Sequence, residues 1–133
     1  MTSPRDTAEK GVRALYAKVA AADFEGVLSL LADDAEFVQA TGLPFGGRFV
    51  GRAGFSEMAG RIVAAWPGFA VKAEAFLSDG EDRVVVVTER SGQGLHMPML
   101  ELWTVRDGLI SRCQPFYFDT ASAMRTAVPP AAQ

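Results

Sequence analysis

Two strand-like segments in the last third of the chain, joined by a tight turn, leave few choices for its fold. The segments read HMPMLELWTV and LISRCQPFYFDT, and Arg106-Asp107-Gly108 between them is a hairpin signal. Alternation divides the first segment between two faces. One face holds Met97, Met99, Glu101 and Trp103, and the other holds His96, Leu100 and Leu102. Because both faces are largely apolar, we expect helices to cover one and a second copy of the chain the other.

The preceding residues change once from helical to strand-like hydrophobic spacing. The pattern predicts a helix that starts at Ser3-Pro4, a second one capped by Asp23 and ended by Asp33-Asp34, and a third over residues 53–65. Short strands are predicted at 36–39 and 48–50, within or beside a glycine-rich loop at 41–51. Longer strands begin at residue 69, and Asp119 is expected to cap a short last helix. Helices followed by strands with short turns indicate an α+β domain with mostly antiparallel strand pairs.

Composition excludes several classes of protein. At 133 residues the chain suits a single domain, 1–133, with frayed termini at 1–6 and 127–133. The net charge of -3 provides no basic surface for nucleic acid or an anionic membrane. The apolar runs are far shorter than a bilayer span, and the first residues lack an apolar signal core, so we expect a cytoplasmic protein. With one cysteine, Cys113, and one histidine, His96, we expect neither a disulfide nor a metal site.

Glu101 is the residue that most strongly suggests chemistry. A carboxylate among methionine, leucine and tryptophan is costly to desolvate unless it has a partner or a task. As a functional group it would be a general base for a C–H proton or for water. The alternative is a structural ion pair, with Arg48, Arg83, Arg90 or Arg112 as the partner.

Other side chains could complete a site around this acid. Tyr16 lies on the buried stripe of the first helix and could donate a hydrogen bond to a substrate oxygen or to Glu101; the alternative is a core aromatic residue. Tyr117 could point into the same space by strand alternation, or simply pack. His96 is expected to face away from Glu101, and Cys113 to be a small buried hydrophobe. A further set is mostly core, and part of it would line a flexible apolar pocket: Phe37, Phe45, Phe55, Met58, Trp66, Met97, Met99 and Trp103.

Several motifs carry a family resemblance over roughly residues 8–122. They are Tyr16, the runs AADFEGVLSLLADDA (21–35) and LPFGGRFVGR (43–52), the hairpin ELWTVRDGLI (101–110), and the ending PFYFDT (115–120). The chain resembles the nuclear transport factor 2-like superfamily, and within it the SnoaL-like and ketosteroid-isomerase-like branch. The resemblance implies a strongly curved mixed sheet, wrapped into a cone by three N-terminal helices with a short C-terminal helix, and a homodimer through the convex sheet face.

The resemblance also implies where a site lies. The inward acid before the final hairpin turn of ketosteroid isomerases falls at Glu101, and their catalytic aspartate falls at Gln39, which cannot take a proton. Gln39 would point into the hollow and orient a substrate or a water. The resemblance implies an isomerase, cyclase or hydratase type of enzyme that needs no cofactor and acts on a small apolar carbonyl or cyclic molecule. A non-catalytic ligand-binding or sensing protein, and a purely structural dimerisation module, are the alternatives.

Overall fold

The fold combines four helices with one six-stranded sheet. A computed structural model describes residues 4–129 of the chain. The elements are α1 (Pro4–Ala20), α2 (Phe24–Ser29), β1 (Leu31–Gln39), β2 (Gly47–Val50), α3 (Gly51–Ala65), β3 (Ala70–Ser78), β4 (Arg83–Gly92), β5 (Leu95–Arg106), β6 (Leu109–Tyr117) and α4 (Thr120–Thr126). The sheet order is β2-β1-β6-β5-β4-β3. Only the β1–β6 pair is parallel among these neighbours, so the predicted α+β class with a mixed, mostly antiparallel sheet is confirmed.

Some predictions concern residues at the ends of the chain. Ser3, predicted to cap the first helix, lies outside the described residues, as do 1–2 and 130–133 of the predicted frayed termini. Pro4 is the first residue of α1, as predicted. The assignment of 1–133 to one domain stays a prediction. No helix within residues 4–129 is both long and apolar enough to span a membrane.

Two-residue turns fix the register of the longest strands. Asp107 and Gly108 join β5 to β6 with φ of 52° and 77°, and Gln93 and Gly94 join β4 to β5 with φ of 50° and 81°. Left-handed conformations at both central positions match the right-handed twist of the flanking strands. The resulting register places Glu101 between Val86 of β4 and Pro115 of β6. The predicted hairpin is therefore confirmed, with Glu101 in the middle of the sheet.

The second helix ends earlier than predicted. Asp23 caps α2 by accepting a hydrogen bond from the Gly26 backbone N–H, but the helix stops at Ser29 rather than at Asp33-Asp34. Those two aspartates belong to β1, on a stretch whose neighbours on both sides are buried. Their side chains instead reach exposed arginines of α3 and β5, Arg52 at 2.5 Å and Arg106 at 2.7 Å. Burial of the strand outweighs the tendency of an Asp-Asp pair to mark a break.

The helices cover one face of the sheet. α1 lies against β3, β4 and β5, and α3 lies against β1 and β2. As predicted, the inward face of β5 is buried, with Met97, Met99, Glu101 and Trp103. On the outward face, Leu100 and Phe116 of the neighbouring β6 are about half exposed in the single chain. A second copy of the chain over this face stays a prediction.

Candidate functional site

A cavity of about 450 Å³ opens between the helices and the inner face of the sheet. This volume lies in the usual range for small-molecule sites, roughly 300 to 1,000 Å³. Its wall is largely apolar, with few polar side chains deep inside. Val19 of α1 and Phe24 of α2 are 43% and 44% exposed because they form part of the wall near the surface. The hollow that the resemblance implied is therefore present and wide enough for a ring compound.

Glu101 is buried on the wall of this cavity and forms an ion pair with Arg90. The Arg90 Nη2 atom donates to Glu101 Oε2 at 2.6 Å, and both side chains are less than a tenth exposed. Tyr16 donates its hydroxyl hydrogen to Glu101 Oε1. Trp103 Nε1 donates in turn to the Tyr16 hydroxyl oxygen at 3.0 Å. Each carboxylate oxygen therefore has one partner, and the group stands at the cavity wall in a fixed orientation.

Strand and helix periodicity explain why these groups meet. Val84, Val86, Thr88 and Arg90 alternate with less buried residues on β4, so Arg90 shares the inner face with Glu101 of the paired β5. On α1, Val12 and Leu15 are buried and anchor the helix against the sheet. Tyr16 lies one turn after Val12, on the same side of the helix, and reaches the carboxylate from above the sheet.

A second branch of hydrogen bonds leaves Arg90 in the other direction. Arg90 Nη1 donates to the Tyr117 hydroxyl oxygen at 3.4 Å, and that hydroxyl donates to Gln39 Oε1 at 3.2 Å. Gln39 Nε2 donates to the Met58 sulfur at 3.3 Å. The Arg90 guanidinium also lies over the rings of Phe69 and Tyr117, at 5.3 and 5.6 Å from their centroids. Arg90 thus links the carboxylate to the amide of Gln39.

The structure brings together most of the side chains expected in the site. Three were expected to take part in chemistry, and all three line the cavity: Glu101, Tyr16 and Gln39. Four of the expected apolar residues line it as well: Phe37, Phe55, Met58 and Trp103. The ring of Phe37 lies 5.1 Å from that of Phe55, which stacks on Phe24 near the surface at 5.9 Å.

Five other expected pocket residues do not form the wall. Phe45 packs edge-on against Trp66 at 5.0 Å, and Trp66 Nε1 donates to Thr126 of α4, so both belong to the core beneath that helix. Met97 and Met99 face inward but are packed in the core of the sheet. Tyr117 lies behind the wall and connects Arg90 with Gln39. Both methionines face inward, as expected, but the cavity reaches β5 only at Glu101 and Trp103 and not at residues 97–99.

Sequence reasoning missed Arg90 as a site residue, although it appeared among four possible ion-pair partners. The β-branched run that predicts this strand covers residues 83–88, and continuing its alternation by one step places Arg90 on the inner face. The other three arginines interact elsewhere: Arg48 with Glu36, Arg83 with Asp79, and Arg112 with Gln114. Cys113 and Pro115, also on the wall, could have been found from the same alternation on β6.

Comparison with known proteins supports the expected fold family. The sequence profile of the SnoaL-like domain matches residues 12–113, which is most of the chain. The chain belongs to the SnoaL-like domain family. The predicted resemblance to the nuclear transport factor 2-like superfamily is thus confirmed. A comparison of the whole chain with curated proteins found no match.

Solved structures show the same architecture. TerC, crystallised with polyporic acid, is 28% identical, with a TM-score of 0.81 over 90% of this chain and 97% of that one. A putative polyketide cyclase from Xanthomonas campestris pv. campestris is 23% identical, with a TM-score of 0.70 over 93% and 98%. A putative ketosteroid isomerase from Kribbella flavida is 20% identical, with a TM-score of 0.73 over 98% and 87%. The last two show the fold alone.

Burial shapes the titration of this SnoaL-like domain's site. Burial raises the pKa of Tyr16 far above its ordinary value, and the Glu101 carboxylate raises it further. Burial raises the pKa of Tyr117 to about 12, although the Arg90 guanidinium opposes the shift. Burial, followed by Glu101, also raises the pKa of the Cys113 thiol. Burial acts to lower the pKa of Arg90, but Glu101 together with Tyr117, Cys113 and Tyr16 outweighs it, so the pKa is raised and the guanidinium stays charged.

The histidine and the cysteine of the domain lie on opposite faces of the sheet, His96 on the outward face and Cys113 on the cavity wall. His96 is on the outward face with a side chain 80% exposed, 3.8 Å from Glu89, so the prediction that it faces away from Glu101 is confirmed. Cys113 is buried, as expected. Among the described side chains, residues 7–129, no three or more His, Cys, Asp or Glu residues converge as a metal site would require.

The chain's two tyrosines provide a test of the buried network. We expect the folded protein to show almost no tyrosinate absorbance at about pH 10, where a free tyrosine is half ionised. The raised pKa values stabilise the folded protein fully below about pH 10, the ordinary pKa of tyrosine. This stability is lost as the pH rises towards the pKa of Tyr117, about 12. Near-ultraviolet absorbance, with circular dichroism to confirm folding, measures this. Half-ionised tyrosine in the folded protein at about pH 10 would contradict the network.

Proposed function

We propose that this SnoaL-like domain binds a small, mainly apolar, carbonyl-bearing or cyclic molecule in its cavity and converts it by acid–base chemistry of the isomerase, cyclase or hydratase type. The observation that carries the proposal is the buried carboxylate of Glu101 on the wall of a largely apolar cavity of about 450 Å³. The similarity to TerC, which was crystallised with polyporic acid, supports a small-molecule ligand.

In the proposed step, Glu101 acts as the general base. The C–H bond next to a ligand carbonyl breaks, its proton passes to a Glu101 oxygen, and the electron pair moves through the new C=C bond onto the carbonyl oxygen. Return of the proton to a different atom gives an isomer. Alternatively, attack of the carbon on a second carbonyl closes a ring, and the proton on Glu101 passes to the new alkoxide oxygen. Arg90 and Tyr16 hold the carboxylate by their hydrogen bonds, and Trp103 holds Tyr16. The apolar wall excludes water from the reacting atoms.

A non-catalytic ligand-binding or sensing role is the second candidate. A specific feature favours it: both oxygens of Glu101 already accept a hydrogen bond, one from Arg90 and one from Tyr16. In addition, the residue at the position of the ketosteroid isomerase aspartate is Gln39, and an amide cannot take a proton. In this role the same pocket would bind the molecule and release it unchanged.

A ligand screen separates these two candidates. Ring ketones and polyporic acid would be tested by thermal unfolding, and each ligand that binds would be recovered and analysed by mass spectrometry and NMR. A ligand at about 100 times its Kd is expected to stabilise the fold by about 2.7 kcal/mol. Chemical conversion or deuterium exchange of the recovered ligand supports the enzyme, and recovery unchanged supports the binding protein. A protein that no compound of these classes stabilises would contradict both.

We also propose a homodimer through the outward sheet face. The half-exposed Leu100 and Phe116 are neighbours across β5 and β6 on this face, and burying them would remove apolar surface from water. Phe116→Lys is expected to halve the mass measured by sedimentation, because a charge would have to be desolvated at the contact. Met124, about as exposed but on α4 rather than on the sheet, offers a matched control, Met124→Lys. A wild-type protein that sediments as a monomer would contradict the proposal.

A further inference from the structure

Arg90 has a buried hydrogen-bond donor that no described residue satisfies. Its Nε–H has no acceptor within residues 4–129, although the Nη1 and Nη2 atoms of the same guanidinium donate to Tyr117 and Glu101. The side chain is only 4% exposed, and Arg90 forms part of the cavity wall. A buried donor on a charged group is costly to leave unpaired. An acceptor that enters the cavity would remove this cost.

Gln39 offers a second donor that is poorly used. Its Nε2 atom donates to the sulfur of Met58 at 3.3 Å, and a thioether is a weak acceptor. The amide orientation is fixed from its other end, because the Tyr117 hydroxyl donates to Gln39 Oε1 at 3.2 Å. Both Gln39 and Met58 line the cavity, so a ligand oxygen can replace the sulfur as the acceptor.

One hydroxyl group joins the two donors. Tyr117 accepts from Arg90 Nη1 and donates to Gln39 Oε1, so the guanidinium and the amide are a single hydroxyl apart. Hydrogen bonds in such a chain polarise one another, and the positive charge of Arg90 strengthens the donor ability of the amide. We propose that Arg90 and Gln39 form an oxyanion site that binds the carbonyl oxygen of the ligand, with Tyr117 as a positioning residue.

The placement of Arg90 gives this site a role in the reaction, a part of the inference that rests on the proposed function. Before proton transfer, the guanidinium is paired with the Glu101 carboxylate at 2.6 Å. When the C–H proton moves to Glu101, the carboxylate becomes neutral and the negative charge appears on the ligand oxygen, at the Nε–H of the same guanidinium. A buried cation is therefore paired with one anion before and after the step, which avoids an uncompensated charge. The ligand class that fits is an enolisable ketone.

The test compares two probes of nearly equal shape, the ring ketone β-tetralone and the hydrocarbon tetralin. Calorimetric titration of the wild-type protein is expected to show tighter binding of the ketone. Gln39→Met is expected to weaken ketone binding about 10-fold or more, while tetralin binding stays within about twofold. Gln114→Met is the matched control, because Gln114 pairs with Arg112 away from the cavity. Equal losses for both probes, or none, would overturn the proposal.

Two further variants address Arg90 and Tyr117. Arg90→Lys keeps a positive charge for Glu101 but lacks the Nε–H of the guanidinium, so the ketone preference is expected to fall while the protein stays folded. For Tyr117→Phe the readout is spectroscopic: bound β-naphthol is expected to ionise at a pH about one unit higher than in the wild-type protein, as it also would in Gln39→Met. An unchanged ionisation of bound naphthol in both variants would contradict the oxyanion site.

These binding results are independent of turnover, so the two proposals can fail separately. Loss of the ketone preference in Gln39→Met together with full deuterium exchange in Glu101→Gln would retain the oxyanion site and reject Glu101 as the base. An unchanged ketone preference together with loss of exchange in Glu101→Gln would retain the base and reject the oxyanion site.

Discussion

Arg90→Met is expected to lower the free energy of unfolding by about 3 to 5 kcal/mol, because it leaves a buried carboxylate without its cation. Glu101 is 6% exposed, and its Oε2 atom accepts from Arg90 at 2.6 Å. Methionine fills a similar volume but offers no hydrogen-bond donor. The loss is a large fraction of the roughly 5 to 15 kcal/mol that stabilise a typical domain. Urea unfolding at neutral pH measures it.

A double variant separates loss of the pair from loss of packing. Arg90→Met combined with Glu101→Gln removes both charges and keeps an acceptor for the Tyr16 hydroxyl. We expect it to recover most of the stability that Arg90→Met loses, since a buried ion pair can be replaced by neutral groups at little cost. Failure of the double variant to recover stability would show that the packing of Arg90, and not the pairing of charge, stabilises the site.

The exposed pair of Arg106 and Asp34 provides the matched control. Its 2.7 Å contact is nearly as short as the 2.6 Å contact of the buried pair, but the two side chains are 56% and 70% exposed. Arg106→Met should therefore change stability far less, because solvent screens the remaining charge. Equal losses in Arg90→Met and Arg106→Met would contradict the assignment of Arg90 and Glu101 as a pair whose burial matters.

Local rules predicted the position of Glu101 and much of the fold. Alternation along β5 and the Asp107-Gly108 turn were enough to place the Glu101 carboxylate inward. Helical spacing was enough to place Tyr16 on the face of α1 that packs on the sheet. A hydrogen bond from Tyr16 to Glu101 was one of the three roles that its position allowed, and the structure shows that bond. These features depend only on neighbours within a few residues or across one tight turn.

Other features depended on contacts that the sequence does not reveal. Four arginines were equivalent candidates for Glu101, and only the β4–β5 register, set by the Gln93-Gly94 turn, brings Arg90 to it. Phe45 and Trp66 have aromatic side chains of the kind that line pockets, but α4 packs over them and makes them part of the core. The early end of α2 at Ser29 likewise depends on the pairing of β1 with β6. Each of these outcomes involves elements far apart in the chain.

Glu101→Gln is the second change with a large expected effect. A positioned general base typically contributes about 10²- to 10⁴-fold to a rate, and glutamine has the same shape without a group that takes a proton. The glutamine Oε1 atom can still accept a hydrogen bond, but the buried Arg90 guanidinium loses its anion, so we expect a loss of stability similar to that of Arg90→Met, about 3 to 5 kcal/mol. Circular dichroism shows that the variant is folded before its rate is compared. Glu74→Gln is the matched control, because Glu74 is exposed on β3 and does not line the cavity. Ligand affinity is expected to change much less than the rate.

Deuterium exchange at the carbon next to the carbonyl of β-tetralone, followed by NMR in heavy water, tests the role of Glu101 most directly. It reports removal of the C–H proton itself, whatever product the natural ligand gives. We expect the wild-type protein and Glu74→Gln to accelerate exchange equally, and Glu101→Gln to be slower by about 10²- to 10⁴-fold while still binding the ketone. Exchange in Glu101→Gln as fast as in the wild-type protein, or binding of the ketone by the wild-type protein without any exchange, would contradict the account.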